Sequence, residues 1–363
     1  MRRLLASLWL AVAGCYGSAA IPSFDAAVDR GRGRDAAALD GSTDAGSVVD
    51  AGADDGRLVD AGLIDGGATS CDAPVPIGGV TFSGLPVAIA ADRGYVHVSL
   101  SLQGMITIDA RDPTAMTALG ELAFEQPGRL AAAGDWLAIT SHNGDRGYHV
   151  NILDVAMPSV PRMLYALDAG HLAERVMLTR DLLVDVGYAG VATWRLDPSG
   201  GALLGAVALP AGVGGVAERD GGRVAVASGS GTTWLVDIAS PSSPFVVATG
   251  ESGADARAIA VLGDRVYVGG STLAVLVADG DLLRVVDSVP YGGDVEALAT
   301  WRGALLVTGR ELGFVVADAA DPSLRLGELG GGAWALAVDG DIAFMTEGGG
   351  FGPGAVYAID LCP

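Results

Sequence analysis

The chain has 363 residues, half of them hydrophobic, and a formal net charge of −21; its 22 basic residues are all Arg. That acidity excludes nucleic acid as a partner, since phosphates need a basic surface, and excludes electrostatic docking on anionic lipid; its plain consequence is solubility. The 55 glycines, with abundant Ala, Val and Leu, suit many short strands joined by tight turns.

Residues 1–15 read M-R-R-L-L-A-S-L-W-L-A-V-A-G-C. Arg2 and Arg3 give a charged start, and the apolar run that follows is too short to span a bilayer. Val12, Ala13, Gly14 and Cys15 then resemble a bacterial lipobox. The resemblance implies a lipoprotein signal peptide over residues 1–15, with Cys15 lipidated as the mature N-terminus. The alternative is an ordinary secretory signal with an incidental Cys. Several acyl chains anchor stably where one is marginal, so membrane contact is expected through this lipid only. In such lipoproteins the residue after the Cys influences sorting, and Tyr16 is not the Asp that retains them at the inner membrane. The expected location is the cell envelope, at the outer membrane, facing the periplasm or the outside.

Residues 16–70 are rich in Asp, Ala and Gly, with D-A-G at Asp44, Asp50 and Asp60 and D-G-G at Asp65. Neither helical nor strand periodicity appears. Small residues with like charge bury too little apolar surface to offset ordering entropy, so the segment reads as a disordered, self-repelling tether. Its widely spaced Asp do not form a calcium loop.

From residue 71 to 363 a unit recurs. An apolar run ends in Asp, and a Pro follows four residues later: M-I-T-I-D-A-R-D-P from Met105, N-I-L-D-V-A-M-P from Asn151, W-L-V-D-I-A-S-P from Trp234 and F-V-V-A-D-A-A-D-P from Phe314. Weaker copies sit at Asp197, Asp279 and Asp360. From Asp109 the anchors Asp154, Asp197, Asp237, Asp279, Asp318 and Asp360 follow at spacings of 45, 43, 40, 42, 39 and 42. A repeat of short strands with that period predicts propeller blades. Before each anchor come a small-residue strand, such as R-L-A-A-A from Arg129 or R-A-I-A-V from Arg257, then a tight turn such as D-R-G, then a second strand. Ala suits the first strands because innermost strands crowd the axis. Each anchor Asp is expected to cap a turn by accepting a backbone N–H two residues on, with Pro presetting the φ of that turn.

These features predict an all-β, seven-bladed β-propeller of four-stranded blades. The last blade lacks an outer strand, because Asp360 stands three residues from the end. Residues 76–84 are expected to supply it and so remove an exposed edge. The four strongest anchors resemble the LVIVD repeat of bacterial envelope propellers, carried here by Leu235, Val236 and Asp237 with Pro241, and by Ile152, Leu153 and Asp154 with Pro158. The third anchor departs, with Pro198 directly after Asp197, and so does the fifth, Asp279 and Gly280, which lacks the Pro. Members of that family are extracytoplasmic proteins of mostly unassigned function, so the resemblance implies fold more than activity.

If Cys15 is lipidated, Cys71 and Cys362 remain at the two ends of the folded part. Export makes their disulfide plausible chemistry; two free thiols are the alternative. No cysteine or histidine cluster has metal-ligand spacing, and no cofactor is expected. The most functional-looking loop runs from Ser141 to His149. There His142, Asn143, Asp145 and His149 either bind something, a metal included, or bend a hairpin. No nucleophile elbow, metalloprotease motif or phosphate loop appears, so no residue is assigned a catalytic role. Two functions follow: a monomeric surface module that binds a protein or glycan, or an envelope lyase or hydrolase with its site at the central channel. Arg175, Arg257, Trp301, Arg302 or Trp334 gathered with acidic groups at one channel mouth would favour the enzyme.

Overall fold

The structure is a computed structural model that describes residues 74–362 except 124, 144–146, 169–172, 211–212, 220–221, 254 and 348–352. All of these lie in one contact unit, Asp65–Pro363. The signal and tether segments, with Cys15 and Cys71, lie outside the described residues, as does Asp145.

The described residues form strands and no helix. After β1 (Val75–Phe82) the strands come in hairpin-linked sets. The first is β2 (Pro86–Asp92), β3 (Tyr95–Leu100), β4 (Gly104–Asp109) and β5 (Thr117–Leu122); the second is β6 (Pro127–Ala133), β7 (Trp136–Asn143), β8 (Gly147–Asp154) and β9 (Arg162–Asp168). Next come β10 (Ala173–Thr179), β11 (Leu182–Gly187), β12 (Gly190–Asp197) and β13 (Gly200–Ala208), then β14 (Val213–Arg219), β15 (Arg223–Ser228), β16 (Thr232–Asp237) and β17 (Phe245–Glu251). They are followed by β18 (Ala258–Leu262), β19 (Arg265–Gly269), β20 (Leu273–Asp279) and β21 (Leu282–Val289), and by β22 (Ala297–Trp301), β23 (Ala304–Gly309), β24 (Gly313–Asp318) and β25 (Arg325–Leu329). The chain ends with β26 (Ala335–Asp339), β27 (Ile342–Glu347) and β28 (Gly354–Asp360), and β28 pairs antiparallel with β1. Each set is a four-stranded antiparallel sheet in chain order. One parallel bridge, Thr249 to Leu282, joins the β14–β17 and β18–β21 sets into an eight-stranded sheet. The result is a β-propeller-like all-β fold.

The core lies between sheets. Along β7, Leu137 and Ile139 pack with Ala88 and Met105 of the preceding sheet, while Ala138 packs with Ala173, Val176 and Leu183 of the following one. Alternation along a strand therefore serves two apolar neighbours. This explains why the second and third strands read as continuous apolar runs rather than alternating ones. Each fully buried Leu or Ile there contributes about 1.5–3 kcal/mol of burial. The first strand of each set lies beside the first strand of the next, from β2 and β6 through to β22 and β26, and β26 lies beside β2.

The turn after the third strand shows how the repeated Asp and Pro act. Asp109, Asp154, Asp237 and Asp318 accept N–H bonds from Arg111, Ala156, Ala239 and Ala320 at 3.1, 3.0, 2.9 and 2.6 Å. A β-turn follows, closed by N–H to carbonyl bonds from Ala115 to Asp112, Val160 to Met157, Ser243 to Ser240 and Leu324 to Asp321. Pro113, Pro158, Pro241 and Pro322 stand second in these turns, where their fixed φ fits. Asp360 accepts from Cys362 N–H at 2.9 Å.

The third and fifth sets, whose anchors depart from the repeat in sequence, also depart in register. The first residue of the second strand pairs with the anchor Asp in the other sets, as in Tyr95 with Asp109 and Arg223 with Asp237. In these two it pairs with Arg195 and Val277. Asp197 and Asp279 lie two residues further on, at two-residue hairpins that pair Asp197 with Gly200 and Asp279 with Leu282. The physical reason is the turn chemistry: Pro198 has no N–H to give, and Gly280 adopts φ +63°, so both strands run on into tight hairpins. Asp197 still accepts Ser199 N–H at 3.0 Å, whereas Asp279 pairs with Arg284 at 2.9 Å.

The second and fourth sets seat their long turns on the last strand of the preceding set at a glycine. A Cβ on Gly120 of β5 would stand 2.6 Å from the Ser159 carbonyl oxygen, and one on Gly205 of β13 would stand 2.7 Å from that of Pro241. Hydroxyls add to this seating: Thr193, Tyr267 and Tyr291 donate to the carbonyls of Pro241, Ala319 and Pro322 at 2.5, 2.7 and 2.7 Å.

Candidate functional site

Arg129 and Arg175 stand near the start of β6 and β10, while Arg257, Glu296 and Trp334 stand one register position earlier, just before β18, β22 and β26. Long charged side chains at this end of otherwise Ala-rich strands reach toward one another. Arg257 Nη1 lies 2.7 Å from Asp294 and 3.0 Å from Glu296, and its Nη2 lies 3.5 Å from Asp255. Burial opposes the charge on Arg257, but Glu296, Asp294 and Asp255 outweigh it and hold the guanidinium above its ordinary pKa. Arg310 lies 3.7 Å from Glu296, and its guanidinium carbon sits 3.5 Å above the centre of the Trp334 ring, a cation–π arrangement. A cavity of about 450 Å³ opens here, lined by Arg257, Gly293, Asp294, Glu296, Arg310 and Glu311.

Arg129 and Arg175 stand at the same end of their first strands. Arg175 Nη2 reaches the carbonyl of Arg257 at 3.4 Å. Arg129 feels Glu296 and Glu174, yet burial dominates and pulls its guanidinium below the ordinary value. Burial likewise raises the Glu174 carboxyl, against the hydrogen bond to Tyr188 and the charge of Arg129. The hollow is thus lined by charges of both signs, Arg257 and Arg310 with Asp294, Glu296 and Glu311. It can hold a charged ligand by several bonds at once.

Of the five residues expected to mark the channel, Arg175, Arg257 and Trp334 gather at this mouth. Trp301 and Arg302 do not. They sit at the opposite end of β22, where both bond Asp341, at 3.1 and 2.7 Å. Reading the sequence missed Arg129, Glu174, Asp294, Glu296 and Arg310. The available signal was positional: Arg129 and Arg175 share one place in two repeats, and Arg257, Glu296 and Trp334 share the place before it in three.

The loop from Ser141 to His149 is a hairpin. His142 pairs across it with Tyr148, and His149 with Ser141, so the two imidazoles face opposite sides of the sheet and do not converge on one ion. His142 stacks at 4.5 Å on Tyr148 and meets Gln126 at 3.0 Å. Among the described residues no group of three His, Cys, Asp or Glu side chains could hold a metal. A second hollow, about 330 Å³, lies beside the first long turn, lined by Asp109, Arg111, Asp112, Ala115 and Thr117. Cys362 is disulfide-bonded, and its partner lies outside the described residues.

In comparison with known proteins, no family model matches the chain and no curated sequence matches it.

Proposed function

We propose that the chain is a lipid-anchored propeller of the cell envelope that binds a protein or glycan ligand at the mouth of its axis. In this reading it has seven blades, Cys15 is lipidated, residues 16–70 are the tether and Cys71 bonds Cys362. The observation that carries the binding role is the mixed-charge hollow around Arg257 and Glu296, just before β18 and β22, and Arg310, just after β23. Concave sites with a few convergent polar groups are the usual binding places of rigid folds.

Several contacts support ring closure. β1 adds to β28 as an outer strand would. One apolar cluster joins Val96, Val98 and Ile106 of the first set with Phe344, Val356 and Ala358 of the last. Gly94 N–H donates to Asp339 at 2.6 Å, as Gly134 N–H donates to Asp92 at 2.8 Å one junction on. Gly78 of β1 faces the Pro113 carbonyl as Gly120 faces that of Ser159.

The enzyme reading is favoured by Glu174, whose raised carboxyl is the kind of group that gives up a proton to a leaving atom. Binding is preferred because Arg257 already engages Asp294 and Glu296, which leaves those carboxylates committed to an ion pair. The test is an array of acidic and neutral glycans and of peptides, probed with the mature chain, with the products of any bound ligand followed by mass spectrometry. Binding without turnover is the expected result. Turnover of a bound ligand establishes the enzyme instead, and no binding at all refutes both.

A further inference from the structure

Of the five described tryptophans, Trp136, Trp194, Trp234 and Trp301 pack in apolar clusters, and Trp334 packs in none. A ring kept out of the core, beside strands where small residues otherwise crowd the axis, offers its face to something else. What it meets is a cation. The Arg310 guanidinium carbon stands 3.5 Å above the ring centre, with Nε 3.7 Å from Glu296. Trp334 itself does not line the hollow; Arg310, which covers its face, does. Trp334 also holds a repeated place. The N–H groups of Arg257, Glu296 and Trp334 bond the carbonyls of Gly269, Thr308 and Thr346, each the fifth residue of the second strand of its set, at 2.8, 2.8 and 3.1 Å. Three successive sets thus bring an arginine, a carboxylate and an aromatic ring to one place. Arg310 is held there lightly: its side chain is 57% exposed, at the tip of the β23–β24 hairpin, and exposed cation–π pairs are weak. Glu296 meets both arginines through Oε1, which leaves Oε2 open to a further donor. Glu311, at the same tip, lines the hollow with no ion pair among the described residues.

We infer that the axial hollow takes the guanidinium of an arginine side chain from a protein partner, and that Arg310 fills the same seat as a removable stand-in. This rests on the axial binding reading above and chooses protein over glycan within it. A guanidinium stacked on an indole with a carboxylate beside it is the chemistry by which arginine is recognised, and the chain already makes that complex with a residue of its own. Moving Arg310 into solvent bares the Trp334 face and leaves the lining with Arg257 against Asp294, Glu296 and Glu311. Such a seat attracts positive charge, and the net charge of −21 draws a basic segment toward it from a distance. A neutral sugar gains nothing from that field, and an acid is repelled by it. Arg310 and the incoming arginine compete, so apparent affinity is reduced by the fraction of time the seat is filled.

The test is titration calorimetry of the mature chain with acetyl-Gly-Arg-Gly-amide, its Lys and Glu counterparts, and galactose, at low and moderate salt. The Arg peptide is expected to bind, less tightly as salt rises. The Lys peptide should bind more weakly, because it lacks the flat fork that stacks; the Glu peptide and galactose should not bind. Arg310→Ala separates a stand-in from an arginine that holds the fold or the ligand. It should bind the Arg peptide about two- to fivefold more tightly, the weight of an exposed cation–π pair, with the melting temperature of the free protein little changed. Trp334→Leu should weaken the Arg peptide by about the same factor, and the gain from Arg310→Ala should vanish in the Trp334→Leu background. Weaker binding by Arg310→Ala, a large drop in its melting temperature, or a gain that persists without Trp334 overturns the inference. A Lys peptide that binds as well as the Arg peptide overturns it as well. Binding of galactose or the Glu peptide instead of the Arg peptide overturns it while leaving the axial site standing. Silence from all four probes overturns it, and the axial reading falls with it only if the wider array of glycans and peptides is silent too.

Discussion

Replacing His97 by Gln should remove most of the acid sensitivity of this fold between pH 8 and pH 5. His97 lies in β3, 2% exposed, with Nδ1 3.1 Å from the Thr107 hydroxyl. Burial, resisted by Asp92 and assisted by Arg93, pushes its pKa from 6.5 to about 4. The folded value is below the unfolded one, so on acidification the unfolded chain takes the proton first. Stability is complete above pH 6.5 and falls as the pH drops toward 4. A difference of that size is worth about 3 kcal/mol at its limit and about 2 kcal/mol at pH 5. Gln can still bond Thr107 and does not titrate. Urea melts of both proteins at pH 8 and pH 5 should therefore differ, with the natural chain losing about 2 kcal/mol more than His97→Gln. The carboxylates that sit low, Asp109 and Asp154 among them, titrate below this window and are common to both proteins. Parallel losses in the two proteins would refute the reasoning, because burial of the imidazole would then carry no charge penalty.

Two further outcomes follow from the turns and the chain ends. Asp237→Ala should cost about 1 kcal/mol in a denaturant melt, because the Ala239 N–H loses its acceptor, whereas Asp279→Ala should cost almost nothing, its ion pair with Arg284 being exposed; equal losses would contradict the two-residue offset of the fifth set. Reduction of the Cys362 disulfide should lower the melting temperature without loss of β-sheet signal at room temperature, and non-reducing mass spectrometry should recover a linked Cys71–Cys362 peptide; chain entropy puts the upper limit of that link at about 5 kcal/mol, and a Cys362 peptide linked to Cys15 would overturn both the clasp and the lipid anchor.

The repeat was legible because one turn carries two independent local signals. An Asp two residues before an N–H and a Pro at the second place of a β-turn each act within a few residues, so they appear wherever the turn does. The register of the third and fifth sets was not legible for the opposite reason. Asp197 and Asp279 are also turn residues, and a string of letters does not say whether an Asp closes a long turn or a two-residue hairpin. That is decided by the strand paired alongside, Leu182 against Arg195 and Arg265 against Val277. The axial mouth was half legible. Arg175, Arg257 and Trp334 stand at strand starts and were visible as such, but Trp301 ends its strand, and only the direction of β22 sends it and Arg302 to Asp341 instead.

The same geometry accounts for where the chain spends its charge. Between sheets almost every position is apolar, so a charged residue fits in a hairpin, on an outer strand or at an end of a first strand. The hairpin arginines are used locally, across one junction: Arg93 bonds Asp135 at 3.0 Å and Arg302 bonds Asp341 at 2.7 Å, each to the next set. Both residues adopt positive φ, 53° and 44°, which a side chain rarely does, and the bond to the neighbour helps hold them there. The strand-start arginines have ordinary backbone conformations, and they too reach across junctions: Arg129 Nη1 lies 3.4 Å from the Val87 carbonyl of the preceding set. Charge at both ends of the first strands thus serves to join one set to another, Arg129 to Val87 and Arg257 to Glu296 at one end, Arg93 to Asp135 and Arg302 to Asp341 at the other.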